Sequence, residues 1–436
     1  MIARGSSAVV RLATAGAIGL ALAGCSDAAE TSGAPRAASG GGAGGHGGGV
    51  TSTGSGAGGH GGGAALTPVE TILAELRADR EAALLAHAAR TGWPVPVDGG
   101  YLFVSTSARL RLLAGDHDGW SGTEMTGDAG FHWIVRDVPA GARYKLTDRT
   151  EWAADPWSRS CTYDELGEMS LVAPEAAHLE RHFGVGDAAM EPRAVRVWVP
   201  EGDVDRVLYV HDGQNLFDPK GPAGGWHLQE HAPPGVLLVG IDNTPARLLE
   251  YTHVEDRIED GGGLIGGSGD AYADFLRDTV RPLIRARYGE PGPVGILGAS
   301  LGGLVSFHAA ARHRGEYTFA ASLSGTMGWG SIGADVRHET MIERYAAHAE
   351  PTATLYLDSG GDGSCFDDDS DGIEDDDETA TDNYCENLQL RDVLTRAGSP
   401  YVEGVSLFYA WAPGAEHDEA AWAARVAEPL RLFAAL

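Results

Sequence analysis

An α/β class for the carboxyl-terminal part of the chain is predicted by one pattern, and a smaller antiparallel domain before it by another. From residue 173 onward, short apolar runs at 194–199, 206–211, 235–241, 294–297, 319–323, 353–357 and 405–409 are interleaved with helical runs at 271–288, 304–314, 339–349, 387–397 and 418–436. Strands alternating with helices build a mostly parallel sheet covered on both faces. Residues 95–172 carry short alternating runs at 101–105, 110–114, 131–135 and 143–147, broken by Gly, Asp and Pro. That pattern predicts a small antiparallel β-sandwich. The expected architecture is therefore α/β over 173–436, with a sandwich at 95–172 ahead of it.

The residues before the sandwich predict a route out of the cell. Arg4 and Arg11 precede a short apolar run that closes on Leu22-Ala23-Gly24-Cys25. The run is too short to span a bilayer, so 1–25 reads as an export signal. Its end resembles a bacterial lipobox, which implies lipidation of Cys25 and a lipid-anchored protein in the cell envelope. Residues 26–66 are Gly, Ala, Ser and Thr with a near-repeat at 42–49 and 56–63, a composition that predicts a flexible tether. Residues 67–94 read as helical, with Thr67-Pro68 at the start.

Composition narrows the partners. The chain has 436 residues, a formal net charge of −30 and 43% hydrophobic residues. That charge argues against nucleic acid and against electrostatic attachment to anionic lipid. Membrane contact is expected through the lipid anchor only. Of the cysteines beyond Cys25, Cys365 and Cys385 bracket one acidic loop and form the expected disulfide, leaving Cys161 free. Trp120, Trp133 and Trp157 in the sandwich read as core and interface aromatics in preference to a sugar-stacking face.

Gly298-Ala-Ser300-Leu-Gly302-Gly303 follows the apolar run 294–297 and opens a helical run. A G-x-S-x-G turn between strand and helix strains the serine and lifts its hydroxyl above the sheet. Ser300 is the candidate nucleophile, and the Leu301 N–H at the helix start is a candidate oxyanion donor. A serine hydroxyl needs a base. His417 lies after the last predicted strand and before the last helix, which suits the order Ser, acid, His of α/β-hydrolases. The acid is expected near the end of the preceding strand, at Asp358 or Asp362, with Asp362 favoured because it lies just beyond the strand. The second oxyanion donor is expected at Gly213 or Gln214, after the strand ending at His211.

The phrases Tyr209-Val-His-Asp-Gly-Gln-Asn-Leu-Phe217, Val239-Gly-Ile-Asp-Asn243, Gly269-Asp-Ala-Tyr272, the serine turn and Glu416-His417-Asp-Glu-Ala-Ala-Trp422 resemble an esterase family. That family includes enterochelin-esterase-like proteins, esterase D and feruloyl esterases, and it has the α/β-hydrolase fold. The resemblance implies carboxylester hydrolysis through an acyl-enzyme on Ser300, on a small-molecule or glycan-linked ester and with no catalytic cofactor. Arg247, Tyr251 and Trp329 are the candidate substrate contacts. Arg247 either meets a substrate oxygen or anchors its loop by pairing with Glu250. Alternatives are a feruloyl or acetyl esterase of carbohydrate side chains, and a non-catalytic calcium-binding surface protein on a hydrolase fold.

Residues 362–386 depart from the short loop expected of that family. Asp367, Asp369, Asp371, Gly372, Asp375 and Glu378 fit the spacing D-x-D-x-D-G with acids further on. Alternate carboxylates and a glycine at the sixth position wrap a calcium ion through a tight turn. The loop resembles those of thrombospondin type 3 repeats, and a structural calcium ion is expected there.

Overall fold

The computed structural model describes residues 68–221, 224–258, 262–333, 335–348, 350–367, 369–376 and 382–436. Cys25, the tether and Glu378 lie outside the described residues. Within them, no helix is long and apolar enough to cross a membrane.

Eight strands form the α/β part: β1 His178–Val185, β2 Arg193–Val199, β3 Arg206–His211, β4 Val236–Ile241, β5 Val294–Ala299, β6 Phe319–Leu323, β7 Thr354–Ser359 and β8 Leu407–Trp411. Their spatial order is β1-β2-β4-β3-β5-β6-β7-β8, the order of an α/β-hydrolase sheet. The β1–β2 and β2–β4 pairs are antiparallel and every later pair is parallel. Strands β4, β5 and β6 are buried at every residue, as their unbroken apolar runs require when helices cover both faces. One core lies between the sheet and the helices Gly269–Phe275 and Leu301–Arg312, with Tyr272, Leu304, Val305 and Phe307 at its centre. The other lies beneath the carboxyl-terminal helices, around Trp422, Leu430 and Phe433. Chain order and sheet order together bring the ends of β3, β5 and β7 to one rim, where the connecting loops can meet.

Ahead of β1 the helical segment is two helices, Val69–Ala78 and Arg80–Arg90, where a single run was expected. The break is at Asp79, which turns extended and accepts the Ala82 N–H at 3.1 Å, so its carboxylate caps a new helix. Both helices bury Leu73, Leu76 and Leu84 against Leu102, Val104 and Phe131. These three belong to a four-stranded sheet of Val95–Val97, Gly100–Ser105, Phe131–Arg136 and Thr126–Asp128. The opposite face of that sheet, at Phe103 and Ile134, packs on Leu113, Tyr144 and Leu146 from a second set of strands. Two sheets thus face each other across a core over 95–172. The second set is not a closed layer, however. Through Ser160–Asp164 it pairs with β1, Cys161 opposite Leu179, and so continues the hydrolase sheet to fourteen strands. Trp133 and Trp157 pack on the helix-side core. Trp120 does not; it stands on the outer surface beside Trp152.

Candidate functional site

Ser300 caps the helix Leu301–Arg312 with φ +56° and ψ −126°, a conformation that strains any side-chain-bearing residue. Two glycines make that turn feasible. A Cβ on Gly298 would stand 2.5 Å from the Gly302 carbonyl, and one on Gly302 would stand 3.2 Å from the His211 Cβ. Strand, helix and the β3 exit loop therefore cross at distances that exclude larger residues. The Ser300 N–H donates to the Leu323 carbonyl at 2.9 Å, and its own carbonyl accepts the Gly303 and Leu304 N–H groups. Ser300 itself is 4% exposed.

His417 arrives on the loop between β8 and the helix Glu419–Arg425, whose first turn Asp418 caps. Its Nε2 lies 2.9 Å from Ser300 Oγ, and its Nδ1 lies 2.8 Å from Asp382 Oδ1. The edge of Trp422 meets the imidazole at a centroid distance of 4.9 Å and fixes its plane. An ionised carboxylate only accepts, so the Nδ1 carries the proton and the Nε2 is free to accept from Ser300.

The carboxylate on His417 is thus neither Asp358 nor Asp362. Asp362 is exposed, and no contact joins it to the imidazole. Asp358 is buried at the end of β7, where it accepts from Tyr356 Oη at 2.9 Å and faces Arg425 Nε at 3.3 Å. Burial pushes the Asp358 carboxyl up to about 6, against the pull of Arg425. Asp382 comes from the far end of the acidic insertion, at φ +69°, just before the helix Tyr384–Thr395. Its side chain is wholly buried. Its Oδ2 accepts from Ser324 Oγ at 2.7 Å, from Arg425 Nη2 at 3.2 Å and from the Gly360 N–H.

Three tethers hold this distant acid. Asn383 Nδ2 donates to the Ser324 carbonyl at 2.9 Å, and Asn387 Nδ2 to the Gly325 carbonyl at 2.7 Å. Cys385 is bonded to Cys365 across the insertion, the expected disulfide, and Cys161 is free and buried. Spacing gave no sign of Asp382, because it is one acid in a run of many. The nearby signals were Asn383, which opens a helix, and Cys385, which staples it.

The candidate oxyanion donors lie around the same rim. Leu301 N–H is in the first turn of the helix after Ser300. Gly213 and Gln214 open the 3-10 turn Gly213–Asn215 directly after β3, and Gln214 Oε1 accepts the Asn243 N–H at 3.0 Å. The three candidate substrate contacts are inside the protein. Arg247 forks onto Asp212 at 2.8 and 2.9 Å, so it anchors the β3 exit loop, and Glu250 pairs with Arg193 instead. Tyr251 has no exposed surface; it packs on His211 and Tyr272, and its hydroxyl accepts the Asp212 N–H. Trp329 is equally buried and donates to the Val254 carbonyl at 2.8 Å. The resemblance suggested these side chains as substrate contacts; burial makes them part of the frame around the site.

In the insertion, the carboxylates of Asp367, Asp369 and Asp371 converge, with one oxygen from each within 4.8 Å of the others. Asp367 also accepts the Asp371 and Gly372 N–H groups, which curls the turn around them. An all-oxygen set of this kind suits a hard divalent cation. Asp375 belongs to a two-residue strand paired with Cys365–Phe366, opposite Phe366.

An uncharacterized protein, YbbA, of Bacillus subtilis (strain 168) is 32% identical over 144 residues, which cover 31% of this chain and 55% of that one. The chain thus spans about half the length of this curated relative. Among solved structures, an IroE-like serine hydrolase from Shewanella oneidensis matches with a TM-score of 0.44 and 19% identity, over 59% of this chain and 80% of that one. The enterobactin esterase FES of Shigella flexneri matches with a TM-score of 0.41 and 14% identity, over 76% and 92%. Likeness at those scores adds no weight to the strand order already described. The family model "Putative esterase" matches residues 189–433, more than half of the sequence, and the chain belongs to that family.

Proposed function

We propose that the protein is a serine carboxylester hydrolase working through an acyl-enzyme. The single observation that carries the reading is the pair of contacts on His417, 2.9 Å to Ser300 Oγ and 2.8 Å to Asp382 Oδ1. Ser300 Oγ attacks the ester carbonyl carbon while its proton passes to His417 Nε2. Asp382 holds the tautomer and stabilises the imidazolium. The oxyanion is met by the Leu301 N–H and by an amide of the Gly213–Gln214 turn. Collapse expels the alcohol, which takes the proton from His417. Water then gives a proton to the same nitrogen, attacks the acyl carbon and releases the acid and free Ser300.

The test is hydrolysis of a p-nitrophenyl ester by the wild type and by Ser300→Ala, with labelling by a fluorophosphonate probe. Loss of both in the variant is expected; equal rates overturn the reading. We further propose export and lipid attachment at Cys25, on the lipobox-like sequence and on a disulfide that suits an oxidising compartment. Cys25→Ser is expected to move the protein from the membrane fraction to the soluble one.

A further inference from the structure

A cavity of about 490 Å³ opens on the outer face of the amino-terminal strands, lined by Trp120, Arg143, Lys145, Trp152, Leu166 and Met169. In the strand Arg143–Thr147, Tyr144 and Leu146 enter the core, so Arg143 and Lys145 alternate to the opposite face and meet the cavity. Along the sheet, seven strand steps separate this strand from β5 and Ser300, about 34 Å at ~4.8 Å per step if the sheet were flat. It is a place apart from the candidate active site.

We propose that this cavity binds a small aromatic acid. The apolar part of the argument is the pair of indoles. Their centroids are 6.2 Å apart and their planes are tilted by 46°, with Met169 and Leu166 as neighbouring wall. Two tilted rings do not make a flat platform for a pyranose, but they offer a face to one side of an aromatic guest and an edge to another. Trp152 is 40% exposed, much for a tryptophan.

The charged part is Lys145. The chain contains only two lysines, Lys145 and Lys220, in a protein of net charge −30. Lys145 is 6% exposed, and its ammonium donates to the Leu166 carbonyl at 3.0 Å. Among the described residues no carboxylate stands within ion-pair distance of it. A buried ammonium has three N–H donors and is costly without a counter-charge. Arg143, by contrast, is forked onto Asp116 at 3.2 Å and faces Asp164 at 3.6 Å, so its charge is already met. The cavity therefore offers an aromatic grip and one uncompensated cation, the complement of a ring bearing a carboxylate. Its volume falls in the range of small-molecule sites.

Calorimetric titration of the full chain with 3-phenylpropionate tests this, with 3-phenylpropanamide as the uncharged control and cellobiose as the glycan arm. Saturable binding of the acid is expected, about tenfold tighter than the amide. Trp152→Ala should weaken it about tenfold or more, and Lys145→Met should erase the preference for acid over amide. A melting curve of each variant shows that it is folded, and the exposed Trp152 keeps the test open should Lys145→Met fail. The proposal is overturned by no saturable binding, by equal affinity for acid and amide, by a preference for cellobiose, or by binding that neither variant alters. The last result would place the ligand elsewhere, including the cleft at Ser300.

Discussion

Asp382 and His417 meet at 2.8 Å although the helix Tyr384–Thr395 and the strand β8 separate them along the chain. The carboxylate is buried and fixed through Oδ2, which leaves Oδ1 for the imidazole. Asp382→Asn is expected to lower kcat/KM by roughly a thousandfold or more, because the amide can present its N–H to Nδ1 and favour the wrong tautomer. Asp362→Asn should change the rate less than about twofold, since that side chain is exposed. Ester hydrolysis by the two variants side by side checks both statements.

Arg425 bridges two buried acids, with Asp358 at 3.3 Å and Asp382 at 3.2 Å. The Asp358 carboxyl sits near 6 in the fold against an ordinary value of 3.8. The fold therefore holds that proton more tightly than the unfolded chain does, and stability from this group is lost as pH rises from about 4 to about 6. Arg425→Ala leaves the two carboxylates facing each other and should destabilise by about 3 kcal/mol at pH 8. The loss should be smaller at pH 5, where Asp358 is protonated. Denaturant melts at the two pH values read the difference.

The Cys365–Cys385 bond closes the insertion three residues beyond Asp382. Reduction, or Cys385→Ser, is expected to cost about 3 kcal/mol of stability. Because the loosened segment carries the acid, esterase activity should fall at reductant concentrations that leave the far-UV circular dichroism unchanged. Parallel titrations of activity and ellipticity with dithiothreitol decide it.

Calcium is tested at the turn of Asp367, Asp369 and Asp371. Added calcium should raise the melting midpoint by a few degrees, and a chelator should reverse the gain. Asp369→Ala should abolish the response. A midpoint indifferent to calcium would leave these carboxylates as a solvated turn.

What the sequence made legible was local. Gly298, Ser300 and Gly302 sit within one turn, and their spacing is itself the steric requirement, so the strand, the turn and the helix could be read together. His417 was legible because chain order and one flanking strand fix its place. Asp382 was not, because the insertion had no period to follow and many carboxylates in which to hide one. Arg247, Tyr251 and Trp329 failed for a different reason. Their distance along the chain from the site said nothing of which way they face, and each turned out to be a buried prop. Asp79 broke the first helix because a capping side chain outweighed an otherwise continuous apolar spacing.

The pairing of Ser160–Asp164 with β1 means that the amino-terminal strands are not a removable appendage. A protein cut back to the family-matched region, residues 189–433, would lose β1 as well and present β2 as a bare row of amide and carbonyl groups with nothing to zip against. Such an unprotected border recruits other chains. A truncated version of this protein should therefore come out of the cell as inclusion bodies, and the first thing to restore would be β1 with the strand beside it.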